Sequence, residues 1–428
     1  MAIDQAALIQ MVYDSAFSQL VKPPSTTTVK SRELLLSLEF PGQQLEESQY
    51  QNPWSPQNAS GSQFATEMLS SLIDAIPLVD AIYVDSGVTV EEMYEFVLGA
   101  SAIPLPAGPN GEVTSNPVNT TLNNARQLFD QTRLASALQP TLSYHPSYAT
   151  PGNWSDPAAA QSWTSISINS NQTTAKPDSP FLRAGGLKHL SGGIWKVPPQ
   201  LIKPDLPRVN PLPVRPDLGV IKPSINPRLI DRIRLSTSAM MTSPTARVLS
   251  MEKAIELQQV TPNPLLMNRI NPDLIVRIQP ELLASRPIDQ STKDIQISFR
   301  CCRVNFNRPW LLKSLLEITG WTLPGQSIGS LSNGTLQDNN GTFPLLPIGF
   351  IAIRDLKIRA NWGQVDRDIA AKAVASENAI GFGPFALSGH YAESGKGYQS
   401  SFDGVTITSP GLQILGWLNL LIPCAPPA

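Results

Sequence analysis

Residues 295–306 read Ile-Gln-Ile-Ser-Phe-Arg-Cys-Cys-Arg-Val-Asn-Phe, and this stretch decides the fold class. Its apolar side chains alternate from Ile295 to Cys301, and then alternate in the opposite phase from Cys302 to Phe306. A period of two is typical of a β-strand with one covered face. Because one extra residue reverses that phase, we predict a one-residue β-bulge at Cys301-Cys302.

Further strand patterns lie towards the C-terminus and predict that residues 291–428 form a β-rich domain. The longest runs from Ile348 to Ala360, and apolar and charged residues alternate in its later half, which predicts one solvated face there. Other strands are predicted within 380–391, 402–408 and 412–422, and a helix over 366–378. We expect an antiparallel, β-sandwich-like domain.

Upstream, residues 1–140 predict a helical domain. Apolar residues recur with helical spacing near the start of the chain, over 63–76 and over 121–138. Thr89-Val90-Glu91-Glu92 fits a capping box, which indicates a helix start. Residues 141–180 are rich in Pro, Ser, Thr and Asn, so they predict a linker or loop with one short strand at 164–168. The expected fold class is α+β.

Residues 181–290 form a Pro-rich extended arm between these two parts. A short unit, Ile/Val-x-Pro-x-Leu, occurs there five times without a fixed period. The residue before each Pro favours an extended backbone, and the Pro can open a helical turn. The two aliphatic residues of each unit are candidate binding anchors on an apolar surface: Ile202, Leu206, Val214, Leu218, Ile225, Leu229, Ile270, Leu274, Ile278 and Leu282. Two arrangements stay open, in which the arm wraps its own chain or reaches a neighbour.

Charge is unevenly distributed along the chain. Residues 1–180 hold 6 basic and 17 acidic residues, whereas residues 181–240 hold 10 basic and 3 acidic ones. The whole chain has 15% charged residues against about 25% in a typical protein. An acidic N-terminal part and a basic arm therefore attract each other, within one chain or between chains.

Sequence motifs for catalysis are weak. Gly325-Gln-Ser-Ile-Gly329 matches a serine nucleophile elbow, but turn residues flank it, and His390 and Asp403 follow in the wrong order. We predict a Gly-rich turn there and no catalytic residue.

Metal and acid–base motifs are equally weak. His145, His189 and His390 lack metal-ligand spacing, so no metal site and no cofactor is predicted, and each histidine is expected to be an ordinary surface or hydrogen-bonded residue. Glu91-Glu92 and Asp366-x-Asp368 fall at predicted helix starts, where acidic side chains favour the positive end of the helix dipole.

These features favour a non-enzymatic structural or self-assembly protein whose partners are copies of itself. One alternative is a membrane-active or pore-forming effector that acts through the C-terminal β domain. Another is an enzyme with a scattered site, since catalytic groups from distant positions leave no linear motif. The basic arm lacks interleaved aromatic residues, so no nucleic-acid partner is expected. Without a signal-peptide pattern or a long apolar stretch, we expect a cytoplasmic protein.

Overall fold

A computed structural model of the chain describes residues 5–21, 34–80, 82–100, 117–135, 143–171, 288–375, 380–391 and 394–427. The helices in these ranges are α1 (Gln5–Ala16), α2 (Gln63–Leu72), α3 (Val90–Ala100), α4 (Pro117–Gln131) and α5 (Gln364–Ala375). The strands are β1 (Leu34–Leu45), β2 (Ala75–Pro77), β3 (Asp85–Thr89), β4 (Leu134–Ala135), β5 (Ser143–Tyr144), β6 (Tyr148–Thr150), β7 (Thr164–Asn169), β8 (Lys293–Asn307), β9 (Leu345–Asn361), β10 (Ile380–Phe382), β11 (Phe385–His390), β12 (Gly397–Gln399), β13 (Ser401–Phe402), β14 (Thr406–Ser409) and β15 (Leu412–Leu421). A mixed α+β fold with a large β content is confirmed.

One antiparallel sheet organises the molecule around two long strands, β8 and β9. The order across it is β1, β15, β9 and β8, and β6 and β7 both pair with the far edge of β8. Because β9 has 17 residues, its other edge pairs first with β15 and then with β14, which in turn pairs with β13. A smaller sheet contains β10, β11 and β12.

Two bulges adjust the register between β8 and β9. Each centres on an aspartate in the left-handed region, Asp294 with φ 57° and Asp355 with φ 55°. Aspartate tolerates this conformation better than most residues with a side chain. In β9, Ile351 and Ile353 precede the bulge and Leu356 and Ile358 follow it, and all four reach the same hydrophobic core. The extra residue therefore keeps one face of a long strand buried.

The predicted bulge at Cys301-Cys302 is wrong. The pairing is regular there, with Cys301 opposite Ile353 and Cys302 opposite Ala352. Both cysteines are buried, but on opposite faces of the sheet and in different cores. The apolar phase changes because the covered face changes along the strand. The predicted alternation in the later half of β9, with one solvated face, is confirmed.

The three largest hydrophobic cores among the described residues surround the sheet. The first core lies between α1 and one sheet face and contains Leu8, Ile9, Val12, Ile166, Ile168, Ile297, Phe299, Cys301, Ile353 and Ile358. The second core covers part of the opposite face with Leu69, Trp154, Trp163, Cys302, Val304, Phe350 and Trp417. The third core joins α3 and α4 to the loop between β8 and β9 through Met93, Tyr94, Val97, Leu122, Phe129, Trp310 and Phe343.

The N-terminal part contains the helices that the sequence predicts, and also a strand that it does not. The capping box at the start of α3 is confirmed, since Glu92 N donates to Thr89 Oγ1 at 3.0 Å and Thr89 N donates to the Glu92 carboxylate at 3.4 Å. Strand β1 pairs with β15 in the main sheet. Its first part is rich in leucine and shows no alternation of apolar and polar residues. A strand that is covered on both faces lacks this alternation, so the sequence does not reveal it.

Residues 143–171 contain the short strand predicted at 164–168, as β7, but they also pack in a way not expected of a linker. They contribute β6 and β7 to the main sheet and bury Trp154 and Trp163 in the second core. Pro and Asn suggest loops locally, whereas the two tryptophans supply enough apolar surface to hold the segment against the sheet.

Membrane-spanning helices were sought in the described ranges. None of the helices there combines the length and the apolar character needed to cross a bilayer.

Candidate interaction surface

The Pro-rich arm is an insertion between two strands that already pair with each other. Strands β7 and β8 are antiparallel neighbours from Thr164–Cys301 to Asn169–Gln296. Beyond the strand end, Ser170 N donates to Ile295 O at 2.9 Å, and Asn171 Nδ2 donates to Asp294 Oδ1 at 2.6 Å. The strands on either side of residues 172–287 therefore pair directly with each other.

The ten predicted arm anchors, from Ile202 to Leu282, all lie outside the described residues. Their role stays a prediction.

Next to this insertion, four strands expose a polar sheet face. In the part of β7, β8, β9 and β14 that lies beyond the second core, the side chains that point away from the first core are hydroxyl, amide or basic groups. We name this surface the polar face: Ser165, Ser167, Asn169, Gln296, Ser298, Arg300, Lys357, Arg359, Thr406 and Thr408. None of these ten residues is acidic, and Lys357 and Arg359 are exposed.

Two acidic groups, Asp355 and Asp294, lie at the borders of the polar face. Asp355 Oδ2 is 3.4 Å from Arg300 Nη1. Asp294 accepts hydrogen bonds from Asn171 and Asn361, and these bonds hold the pKa of its carboxyl below the usual value. The polar face can therefore donate many hydrogen bonds and attract anionic groups, and it does not attract the basic arm.

The start of β7 is fixed by a cluster of charged and aromatic side chains. Two guanidinium groups approach the Trp163 ring, with Arg300 Cζ at 5.8 Å and Arg354 Cζ at 5.4 Å from its centroid. Arg354 Nη2 contacts Glu47 Oε1 at 2.6 Å, and burial raises the pKa of Glu47 although Arg354 opposes that shift. With Asn171 holding the other end, β7 is held at both ends.

His145 is buried in a structural pair with Glu91. Its Nε2 lies 2.7 Å from Phe129 O, and because a carbonyl oxygen only accepts, Nε2 donates this hydrogen bond. Its Nδ1 lies 3.0 Å from Glu91 Oε1, and its ring stacks on Phe129 at 3.9 Å. The pair joins the start of α3 to α4 within the third core. The expectation of a hydrogen-bonded histidine is confirmed here, while His189 lies outside the described residues.

Ser327 and His390 lie in separate places. Ser327 is exposed in a turn whose neighbours Gly325 and Gly329 have positive φ, which confirms the predicted Gly-rich turn. His390 lines a half-open pocket of about 270 Å³ with Gly389, Gly397, Tyr398 and Gln399. Among the described residues, this lining contains no carboxylate and no thiol.

Metal-binding clusters were sought in the same ranges. In the part of the chain that the structure describes, no three His, Cys, Asp or Glu side chains come together as metal ligands would.

One half-buried carboxyl group was not predicted from the sequence. Glu39, in β1, accepts a hydrogen bond from Trp417 Nε1 at 2.6 Å, and the Tyr83 ring stacks on Trp417 at 5.1 Å. Burial raises the pKa of the Glu39 carboxyl to about 8; the Trp417 hydrogen bond lowers that pKa, and the Asp85 charge raises it. No linear motif marks such a group, because its partners come from distant elements.

The polar face as a whole was not predicted, although the solvated face of later β9 and one further pattern indicate parts of it. Thr-Ser-Ile-Ser-Ile-Asn, residues 164–169, alternates small polar and apolar residues without any charge. That pattern predicts a strand with one exposed face, but not the strands beside it. Comparison with known proteins identifies no relative, since no family model, no curated protein and no solved structure matches this chain.

Proposed function

We propose that this chain is a non-enzymatic structural protein that assembles with copies of itself through its Pro-rich arm. The observation that carries the proposal is the position of the arm as an insertion between β7 and β8. Because those strands pair directly, the sheet does not need residues 172–287 to connect them. A long segment with regular aliphatic anchors at such a place is suited to binding another surface.

Charge supports an acidic surface as the binding site for the arm. Residues 34–171 contain twelve acidic and two basic residues in their described positions, whereas residues 181–240 are strongly basic. Opposite charges increase the rate of association and weaken with salt over a Debye length of about 8 Å at physiological ionic strength. The aliphatic anchors would add a contact that salt does not weaken.

The proposal assigns a role to each part of the chain. Residues 1–140 would be the helical part that receives the arm, residues 141–180 would lead to it, and residues 181–290 would be the arm itself. Residues 291–428 would form a sandwich-like β part, to which β1 contributes a strand from the N-terminal part.

Light scattering on a sizing column tests the proposal with the full chain at about 50 mM and 500 mM salt. We expect a discrete oligomer or filament at low salt that loosens at high salt. The matched variant replaces residues 172–287 by a flexible Gly/Ser linker of about ten residues. It is expected to lose the salt-sensitive part of the association.

A monomeric mass for the full chain at every salt and protein concentration would contradict self-assembly. A monomer whose arm is nevertheless protected from proteolysis would indicate that the arm wraps its own chain.

A further inference from the structure

Strand β7 is an edge strand without the features that normally guard a sheet edge. It pairs with β8 on one side, and no described strand pairs with its other side. Edge strands are usually protected by charges, proline, bulges or short length. Residues 164–169 contain neither charge nor proline, and their pairing with β8 has no register shift.

The other ends of the main sheet are guarded in the described part of the chain. Beside β1, the segment at Ile82 and Tyr83 contacts Leu38, and Pro41 interrupts the strand. Strand β6 has three residues and is followed by Pro151, and β13 has two residues. The open edge of β7 is therefore an exception within this sheet.

The direction of the main-chain groups in β7 follows from one hydrogen bond. Ser170 N donates to Ile295 O, so residue 170 directs its main-chain groups towards β8. In an antiparallel pair this direction alternates, so Ile166 and Ile168 also bond to β8, whereas Ser165 and Ser167 direct their N–H and C=O groups to the open edge. Both serines are exposed, and no described residue hydrogen-bonds their main chain.

We propose that the β7 edge pairs antiparallel with β7 of a second copy of this chain, about a two-fold axis at Ile166. Ser165 would then pair with Ser167 of the partner subunit and Ser167 with Ser165 of the partner subunit, giving four main-chain hydrogen bonds. Ile166 would meet Ile166 of the partner subunit. Residues directly opposite each other in an antiparallel pair lie on the same face of the sheet. This register therefore keeps the isoleucines on the core side and the serines on the polar face in both copies.

Charge repulsion does not prevent a second copy from binding at the β7 edge. Strand β7 is uncharged, and the nearest cation of the polar face, Arg300, lies on β8. With strands about 4.8 Å apart, the two β8 strands would be about 14 Å apart, beyond the Debye length of about 8 Å. The arm is a poorer occupant, because its frequent prolines lack the N–H groups that strand pairing needs.

This inference rests on the proposed self-assembly and adds a second contact to that of the arm. Six residues of edge pairing bury less surface than the roughly 1,200 Å² of a stable interface, so the contact alone would be weak. When the arm contact holds two chains together, their β7 edges meet at a raised effective concentration. The two contacts together would therefore bind more tightly than either contact alone.

Ser167→Pro is the sharpest test, with Ser167→Ala as its matched control. Proline at 167 removes an N–H that points to the open edge, so it leaves the bonds to β8 intact. Sedimentation equilibrium of the full chain over a wide concentration range measures the dimerisation constant at about 500 mM salt, where the arm contact is weakened. We expect Ser167→Pro to weaken dimerisation at least tenfold and Ser167→Ala to match the original chain.

Hydrogen exchange of the unsubstituted chain provides a test that does not depend on a variant folding. The amides of Ser165 and Ser167 should gain protection as protein concentration rises, whereas those of Ile166 and Ile168 should be protected throughout. Equal dimerisation by both Ser167 variants, or serine amides that exchange fast at all concentrations, would overturn the inference.

The two proposals fail in distinguishable ways. Loss of all association on replacing residues 172–287, with no effect of Ser167→Pro, would leave self-assembly standing without the β7 contact. Serine amides protected at every concentration, but exposed once the arm is replaced, would identify the arm as the occupant and overturn the inference.

Discussion

At the scale of single residues, Glu39 links pH to stability. The pKa of its carboxyl is about 8 in the folded protein, above the ordinary value of 4.5, because burial disfavours its charged form. Between about pH 4.5 and pH 8, the Glu39 carboxyl is therefore protonated in the folded protein and ionised in the unfolded chain. Its stabilising contribution is full below about pH 4.5 and is lost as pH rises through 8, by up to about 1.4 kcal/mol for each pH unit.

Glu39→Gln should remove this pH dependence, because glutamine is uncharged and its Oε1 can still accept from Trp417. Urea unfolding at pH 5, 7 and 9 measures the effect. We expect little difference at pH 5 and a more stable variant at pH 9. Glu95→Gln, on the exposed face of α3, is the control and should change neither value. An unchanged pH profile in Glu39→Gln would show that another group is responsible.

At the scale of secondary-structure elements, Arg308 joins the end of α2 to two strands. It follows β8 directly, and its guanidinium donates to Ile73 O at 2.5 Å and to Pro347 O at 2.6 Å. Burial lowers the pKa of Arg308 to about 10, so it remains charged at neutral pH. One of these carbonyl groups directly follows α2, and the other lies near the start of β9.

Arg308→Met should destabilise the protein by roughly 3 kcal/mol, because it leaves two carbonyl groups without their donors. Chemical unfolding followed by tryptophan fluorescence measures this loss. Arg367→Met is the matched control on the exposed side of α5, and it should cost less than about 0.5 kcal/mol. Equal effects of the two substitutions would contradict a linking role for Arg308.

At the scale of the whole molecule, the β7–β8 hairpin predicts that the fold does not depend on the arm. Replacing residues 172–287 by the short flexible linker should keep the near-ultraviolet circular dichroism signal of the packed tryptophans. Trp154, Trp163 and Trp310 are buried in described parts of the chain, outside the replaced segment. A variant that loses this signal would show that the arm belongs to the core.

Sequence patterns predicted the elements in which the pattern of buried and exposed residues stays the same from one end to the other. The later half of β9, strand β15 and the capping box of α3 follow from local alternation or from spacing, which need no knowledge of distant partners. The anchors of the arm remain predictions, because they lie outside the described residues. The candidate surface was predicted in two pieces, as one short strand at residues 164–168 and as the solvated face of the later half of β9.

The sequence by itself therefore determined a β-rich C-terminal half, helices near the N-terminus and a charge contrast between the N-terminal part and the arm. Only the tertiary structure decided that β1 joins the main sheet, that Cys301 and Cys302 face different cores, and that β7 and β8 are neighbours across the arm. The physical reason is the separation in sequence of the residues involved. Helix and strand propensities and apolar alternation depend on neighbouring residues, whereas strand pairing and the covering of a sheet face depend on residues more than a hundred positions away.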